Sequence, residues 1–137
     1  MNRQELLNQI EYYTPFNEQE ETDKQLILNW IRNNTNAFSR ENTVAHMTAS
    51  AWVVNQDKSK ILMVYHNIYN SWSWLGGHAD GETDLLAVAL REVKEEAVSI
   101  KSDENSGVAW FSPEEALKKS TEPWFVEHVY SQLIEKM

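Results

Sequence analysis

Residues 76–96 read GGHADGETDLLAVALREVKEE, and this stretch decides how the rest of the chain is interpreted. A glycine-rich loop opens it, and residues 84–97 contain neither glycine nor proline, which predicts one unbroken helix. Glu92, Glu95 and Glu96 are spaced i, i+3, i+4, so their carboxylates project from one face of that helix. The cluster weakens a bare helix, but it supplies the oxygen ligands that Mg²⁺ or Mn²⁺ prefers.

The rest of the helix has predicted roles as well. Arg91 reaches Glu95 at i+4 and would orient it. An apolar stripe beside the carboxylates is predicted to pack against a sheet: Leu86, Leu90, Val93 and Ala97. Three glutamates alone are usually a solvated helix face, but their spacing from the double glycine favours a functional interpretation. Glycines let the backbone approach a ligand closely beside the helix N-terminus.

These residues resemble the signature of the Nudix hydrolase family, G-x5-E-x7-R-E-U-x-E-E-x-G-U, in which U is a bulky aliphatic residue. Gly77 matches the opening glycine, and residues 91–96 match R-E-U-x-E-E in register. The wider resemblance covers Val44 to Phe111. It includes a strand pair before the signature and a tryptophan-bearing strand before a short helix.

The chain departs from the family pattern at three places. The first glutamate of the signature falls on Thr83, with Glu82 one residue early and able to substitute in supporting the loop. The closing glycine falls on Val98 and the aliphatic position after it on Ser99. Only residues 98–109 separate the helix from the tryptophan strand, where the family has some tens of residues.

The resemblance implies an α/β (α+β) fold, a Nudix-type mixed β-sheet sandwiched between helices, with extra N-terminal helices and part of the sheet missing. Residues 1–43 are predicted to form a helical extension and residues 44–137 the Nudix domain. The short connection predicts that a segment is absent at the 97/98 junction. Natural shortening is the rival explanation, and it would put the activity in doubt.

The resemblance also implies a chemistry. Nudix enzymes use water to cleave a phosphoanhydride in a nucleoside diphosphate linked to another group. Glu92, Glu95 and Glu96 would hold Mg²⁺ or Mn²⁺, which polarises the attacked phosphorus and lowers the pKa of a bound water. Arg91 would orient the carboxylates, and the general base would be Glu92 or, in the loop before the tryptophan strand, Glu104.

Substrate contacts are predicted for the loop and its flanks: Gly76, Gly77, His78, Trp72 and Trp74. An indole stacks well on a flat group, but the alternation in residues 71–74 also suits a strand packed on a core. His78 suits a phosphate contact or a structural hydrogen bond. The other histidines, His46, His66 and His128, form no ligand spacing and are interpreted as ordinary strand or surface residues.

Outside this region the pattern predicts helices and strands that frame it. Two N-terminal helices are expected, the first ending before Pro15 and the second burying a face made of Leu26, Ile27, Trp30 and Ile31. Residues 51–54 and 61–65 predict a hairpin, and 98–101 and 108–111 two more strands. Ser112-Pro113 and Glu122-Pro123 predict two helix starts.

Composition narrows the class of protein. The 137 residues argue for one domain, and a net charge of -9 argues against a nucleic-acid polymer as partner. Cysteine is absent, which excludes disulfides and thiolate sites and favours the cytoplasm. A polar N-terminus and the lack of a long apolar run predict neither a signal peptide nor a membrane association. The expected partner is therefore a small nucleotide-type substrate.

Other functions remain open from the sequence. The main alternative is a catalytically silent Nudix-fold module that binds a nucleotide as a sensor. Diphosphate isomerisation ranks lower because no cysteine is present, and a di-iron carboxylate protein ranks lower because no Glu-x-x-His pair appears. A homodimer through the N-terminal helices is a further option.

Overall fold

A computed structural model of the chain describes residues 1–98 and 105–137. Its Cα positions group into two compact units. The first comprises Met1–Ala49 and Gly77–Val88, and the second comprises Ser50–Gly76 and Ala89–Met137. The predicted domain boundary at 43/44 stays a prediction.

The first unit begins with the two predicted helices, α1 (Arg3–Tyr12) and α2 (Glu18–Asn33). Both start at an asparagine N-cap: the Asn2 side chain accepts from the Glu5 N–H, and that of Asn17 accepts from the Glu20 N–H. Such caps satisfy backbone donors that the first helical turn leaves without partners. At the other end of α2, the Arg3 guanidinium donates to the Asn34 carbonyl at 2.7 Å.

The buried face of α2 differs from the predicted one. Leu28 and Ile31 are buried, whereas Leu26 is 65% exposed and Ile27 is also exposed. The prediction took every apolar side chain near the end of the helix as core. Because a helix buries only the stripe that faces its neighbours, residues 100–200° away on the helical wheel remain in solvent whatever their polarity.

The second unit is built on an antiparallel sheet of β2 (Val53–Val54), β3 (Ile61–His66), β4 (Ser71–Ser73) and β6 (Asn105–Phe111). Strand β3 pairs with each of the other three. The predicted hairpin is confirmed by the register Val53↔Leu62 and Val54↔Ile61. The predicted strand 108–111 is also confirmed and starts earlier. Two further strands, β1 (Thr48–Ala51) and β5 (Leu75–His78), form a separate two-stranded sheet.

Helix α3 (Leu85–Val98) is the predicted signature helix, but its apolar stripe is turned outward. Leu86 and Leu90 are 66% and 62% exposed, and Ala97 is exposed too. Only Val93 of the predicted stripe packs inward, against the cluster of Leu62, Val64 and Leu75. The prediction for Leu86, Leu90 and Ala97 is wrong because the face that carries Val88, Glu92 and Glu96 is the buried one.

The end of α3 bears on two further predictions. Helix α3 runs through Ala97 and Val98 without a break, so Val98 is helical and does not begin a strand. The rest of the predicted strand, residues 99–101, lies outside the described residues. The proposed missing segment at the 97/98 junction stays a prediction.

The C-terminal helices complete the core of the second unit. Helix α4 (Pro113–Lys119) has the predicted start, a reciprocal cap between Ser112 and Glu115. It is followed by α5 (Pro123–Phe125), a π-helical stretch (Val126–Tyr130) and α6 (Ser131–Glu135). Four buried residues centre this core: Ile61, Met63, Ala116 and Tyr130. Within the described part of the chain, no helix is long and apolar enough to cross a bilayer.

Candidate functional site

The carboxylates of α3 fall into two environments. Glu92 and Glu96 are only 4% and 3% exposed, whereas Glu95 lies at the surface. Residues four apart share one helix face, so the two buried carboxylates lie one turn apart on the inward side. Two like charges withdrawn from water are costly unless each is paired or binds a cation.

Both buried carboxylates have identifiable partners. Glu96 Oε2 accepts a hydrogen bond of 3.0 Å from the Gly76 N–H, the first glycine of the loop. Glu92 Oε1 pairs with Arg91 Nη2 at 3.0 Å and with its Nε at 3.3 Å. The signature arginine therefore holds the adjacent glutamate, and its predicted action on Glu95 stays a prediction. These contacts hold one oxygen of each carboxylate in a defined position.

No group of three His, Asp or Glu side chains within residues 1–98 and 105–137 is gathered closely enough to hold a metal ion. Of the predicted metal ligands, Glu92 and Glu96 are buried and Glu95 is exposed, and their joint binding of a metal stays a prediction. The predicted base Glu104 lies outside the described residues.

The loop after β5 is fixed by backbone contacts with residues 37–47, all within the first unit. The Gly81 N–H donates to the Phe38 carbonyl at 2.8 Å, and the Ala79 N–H donates to the Met47 carbonyl at 3.2 Å. Gly81 has φ 93°, a left-handed conformation that suits glycine and few other residues. Because glycine adopts this conformation with little strain, Gly81, the residue after Asp80, favours the observed conformation of the loop.

Asp80 is itself left-handed, with φ 50°, and a salt bridge holds it there. Arg40 Nε and Nη2 each lie 2.7 Å from one of its carboxylate oxygens, the two-pronged geometry in which arginine binds carboxylates best. Glu82, the residue displaced by one from the signature position, accepts the Asp84 N–H at 2.8 Å. This contact supports the start of α3 and agrees with the loop-supporting role expected of Glu82.

The carboxylate of Asp84 closes the first turn of α3 by accepting the Ala87 N–H at 3.1 Å. It also lies 2.9 Å from the amino group of Met1, and that hydrogen bond holds the Asp84 pKa below its usual value. Thr83 donates its hydroxyl to the Met1 carbonyl at 2.9 Å. Thr83, which replaces the glutamate of the signature, therefore has a structural contact of its own.

His78 lies in a contact that the sequence did not predict. Its Nδ1 is 2.9 Å from Nε2 of His46, and His46 Nδ1 is 3.0 Å from the Asn42 carbonyl oxygen. Asn42 is buried and accepts from the Val44 N–H, which fixes the turn that carries His46. The prediction that His46 is an ordinary residue missed this pair because the two histidines are 32 residues apart. Nothing in their local spacing indicates the contact.

The tryptophans before the loop belong to the apolar core of the second unit. Trp72 makes an edge contact with Phe111, and its ring lies 3.4 Å from the place where a Cβ on Gly107 would stand. Trp74 makes edge contacts with Phe125 and Tyr130. Burial also raises the pKa of Tyr130 to about 12. The packing follows the core interpretation of the alternating residues, and stacking on a substrate base stays a prediction.

Part of the chain is similar to a known protein family. Residues 44–102 match the family model described as NUDIX domain, a range that includes the loop and all of α3. Comparison with curated proteins gave no significant match. The helices and antiparallel strands of the described residues agree with the α/β architecture expected of that family. The similarity to the NUDIX domain family therefore rests on residues 44–102.

Proposed function

We propose that this protein hydrolyses a phosphoanhydride bond in a nucleoside diphosphate linked to another group, with Mg²⁺ or Mn²⁺ as cofactor. A Nudix domain indicates pyrophosphohydrolase activity in general and small nucleotide derivatives as substrates. The observation that carries the specific proposal is the burial of Glu92 and Glu96 on one face of α3. Two carboxylates withdrawn from water one turn apart are a costly arrangement that a divalent cation would stabilise.

The donor set fits a hard divalent cation. Glu92 and Glu96 offer oxygen atoms only, and the Gly76 N–H orients one of them. The residues that would hold the ion are Glu92, Glu95 and Glu96. A bound Mg²⁺ would polarise the phosphoryl group and lower the pKa of a coordinated water.

The chain's own residues have separate tasks in this proposal. Arg91 positions the Glu92 carboxylate through its 3.0 Å contact. Gly76 and Gly77 let the backbone approach the diphosphate, and His78 donates a hydrogen bond to a phosphate oxygen. A carboxylate accepts the proton of the attacking water, for which Glu92 and Glu104 remain the candidates.

The test is a turnover assay on purified protein with a panel of nucleoside triphosphates, dinucleoside polyphosphates and nucleotide sugars. Each substrate is run with Mg²⁺, with Mn²⁺ and with EDTA, and release of phosphate or nucleotide is measured. We expect metal-dependent turnover of at least one substrate. In Glu96→Gln it should fall more than about 100-fold, beyond the usual cost of losing a residue that only supports a metal ligand.

Glu21→Gln is the matched control because it removes the same charge from an exposed helix position. We expect it to turn over substrate at the wild-type rate. No metal-dependent turnover of any substrate would overturn the hydrolase proposal. Saturable nucleotide binding in that case would favour the sensor function instead.

The compartment and the assembly are proposed on separate grounds. We propose a cytoplasmic location because the sequence contains no cysteine. We propose a homodimer through the N-terminal helices because these helices expose apolar side chains. Tyr12 is 87% exposed, Phe16 77% and Leu26 65%, more apolar surface than a solvated helix pair needs. Sedimentation at several concentrations tests the dimer, which Phe16→Ser would weaken.

A further inference from the structure

A groove of about 410 Å³ lies between α1 and α2, wholly within the first unit. Its accessible wall is mainly apolar. The lining includes three residues from the α1 side and three from α2: Leu6, Ile10, Tyr13, Asp23, Lys24 and Ile27. On each side these residues recur at helical spacing, so the groove follows one face of each helix.

The fold leaves part of this apolar lining in solvent. Ile27 is 37% exposed and Tyr13 is 45% exposed. The proposed homodimer rests on Tyr12, Phe16 and Leu26, and none of these three residues lines the groove. Burial of apolar surface is favourable, so the groove suits an occupant other than that dimer contact.

Acidic side chains outnumber basic ones around the groove. Residues 1–33 contain six acidic and three basic side chains. The basic ones already have partners in the first unit: Arg3 and Lys24 donate to backbone carbonyls, and Arg32 pairs with Glu11. Asp23 accepts from the neutral Gln19 amide at 2.9 Å, a contact that does not neutralise its charge. The rim therefore repels an acidic occupant, including a second copy of this chain, and attracts a basic one.

We propose that the groove between α1 and α2 binds an amphipathic helix of another protein, one with an apolar face flanked by lysine or arginine. The lining on the α1 side, from Leu6 to Tyr13, spans about 10 Å, or two turns of a helix. A helix laid in such a groove anchors itself through side chains at i, i+3, i+4 and i+7. Its basic residues would lie beside Asp23. The inference goes beyond the proposed hydrolase function and does not depend on it.

The probe is a synthetic peptide of about 18 residues, long enough to form a helix, with leucine at i, i+3, i+4 and i+7 and lysine on the flanks. Fluorescence anisotropy of the labelled peptide measures its binding to the full chain, and we expect saturable one-to-one binding. A peptide with serine for leucine keeps the charge, and one with glutamate for lysine keeps the apolar face. Each should bind at least about tenfold more weakly.

Paired variants of the protein test the groove itself. Ile27→Ser removes an apolar contact and should weaken binding about tenfold, whereas Leu26→Ser, one residue away and outside the groove, should not. Asp23→Lys reverses a charge of the lining, so it should weaken binding of the lysine peptide and strengthen binding of the glutamate peptide. Glu135→Lys makes the same change of net charge at an exposed position of α6 and should alter neither affinity more than about twofold.

Methyl NMR of the full chain locates the bound peptide. We expect the peptide to shift the methyl signals of Leu6 and Ile10, and to leave that of Ile61, in the core of the second unit, unchanged. Unshifted Leu6 and Ile10 signals, or no binding of the lysine peptide, would overturn the proposal.

Three further results would also overturn it. Equal affinity for the serine peptide would mean attraction by charge alone, and equal affinity for the glutamate peptide would remove the role of the acidic rim. A dimer in sedimentation that Ile27→Ser dissociates would assign the groove to a second copy. Because none of these measurements needs turnover, a negative substrate panel would refute the hydrolase proposal and leave this result standing.

Discussion

The acidic residues of α2 and those of α3 are chemically the same but occupy opposite environments. Glu18 and Glu21 lie in the first turn of α2, exposed to solvent next to the Asn17 cap, where negative charge interacts favourably with the helix dipole. Glu92 and Glu96 lie in the last two turns of α3 and are almost fully buried. Negative charge near a helix C-terminus is unfavourable and burial adds to the cost, so the α3 pair requires a compensating partner.

This contrast shows which acidic clusters indicate function. A run of acidic residues at a helix start is explained by solubility and by the dipole alone. A buried pair at a helix end, held by a backbone N–H and an arginine, is explained by neither of these, and the metal proposal rests on it.

Removing both buried charges should separate stability from activity. We expect the double variant Glu92→Gln/Glu96→Gln to lose turnover and, without metal, to gain about 1–2 kcal/mol in free energy of unfolding, since like charges no longer share a buried face. The matched pair Glu18→Gln/Glu21→Gln should keep turnover and lose a few tenths of a kcal/mol, on the order of the dipole interaction. Urea unfolding at neutral pH measures both. A lower free energy of unfolding in Glu92→Gln/Glu96→Gln than in wild type would contradict the proposed repulsion between the two buried charges.

Loss of the arginine should cost more stability in the buried Arg91–Glu92 pair than in the exposed Arg32–Glu11 pair. Arg91→Ala removes the 3.0 Å contact to the buried Glu92 carboxylate and should cost about 2 kcal/mol. Arg32→Ala breaks the exposed pair with Glu11 and should cost less than about 1 kcal/mol. Equal losses of unfolding free energy in the two variants, measured by thermal or urea unfolding, would show that the Glu92 carboxylate depends on its arginine no more than the exposed Glu11 carboxylate does.

The caps provide a reference for ordinary polar contacts. Asn17→Ala removes the acceptor for the Glu20 N–H at the start of α2, and Ser112→Ala removes the acceptor for the Glu115 N–H at the start of α4. Each should cost about 1 kcal/mol without changing activity. Far-UV circular dichroism during urea unfolding gives the change in free energy. A loss of turnover in either variant would show that the effects of α3 variants are not specific.

The smallest effect concerns pH. The Ser112 N–H donates to the Glu115 carboxylate and lowers its pKa below the ordinary 4.5. Glu115 therefore stabilises the fold above the ordinary pKa, and this contribution is lost as pH falls through the lowered value. Wild type should be more stable than Glu115→Gln at neutral pH, and the gap should close on acidification. For Glu114→Gln, one residue earlier, the gap should stay small throughout; a constant gap for Glu115→Gln would refute the linkage.

Local features of the fold were predictable because local physics determines them. The Ser112 cap, the hairpin of β2 and β3 and the uninterrupted α3 follow from side chains within a few residues of each other. The buried faces of α2 and α3 were not predictable from the sequence. Whether Leu86 or Glu92 faces inward depends on which elements pack against the helix. The polar pattern of α3 predicted the opposite face.

The site was predictable to a similar extent. The signature spacing located the α3 glutamates and the loop, and the family match covers both. The contact of His46 with His78 and the salt bridge of Arg40 with Asp80 join residues 32 and 40 positions apart. A hydrophobicity pattern or a spacing rule carries no information about such pairs, since the path of the intervening chain brings them together.

The central claim is that the buried carboxylate pair of α3 binds a divalent cation, and Mn²⁺ binding measured by electron paramagnetic resonance tests it most directly. Wild type and Glu18→Gln/Glu21→Gln should bind Mn²⁺ with the same stoichiometry and affinity. Glu92→Gln/Glu96→Gln should bind at least about tenfold more weakly, because the two charged oxygen donors are gone. Unchanged Mn²⁺ binding in that variant would contradict the claim and place any metal site elsewhere.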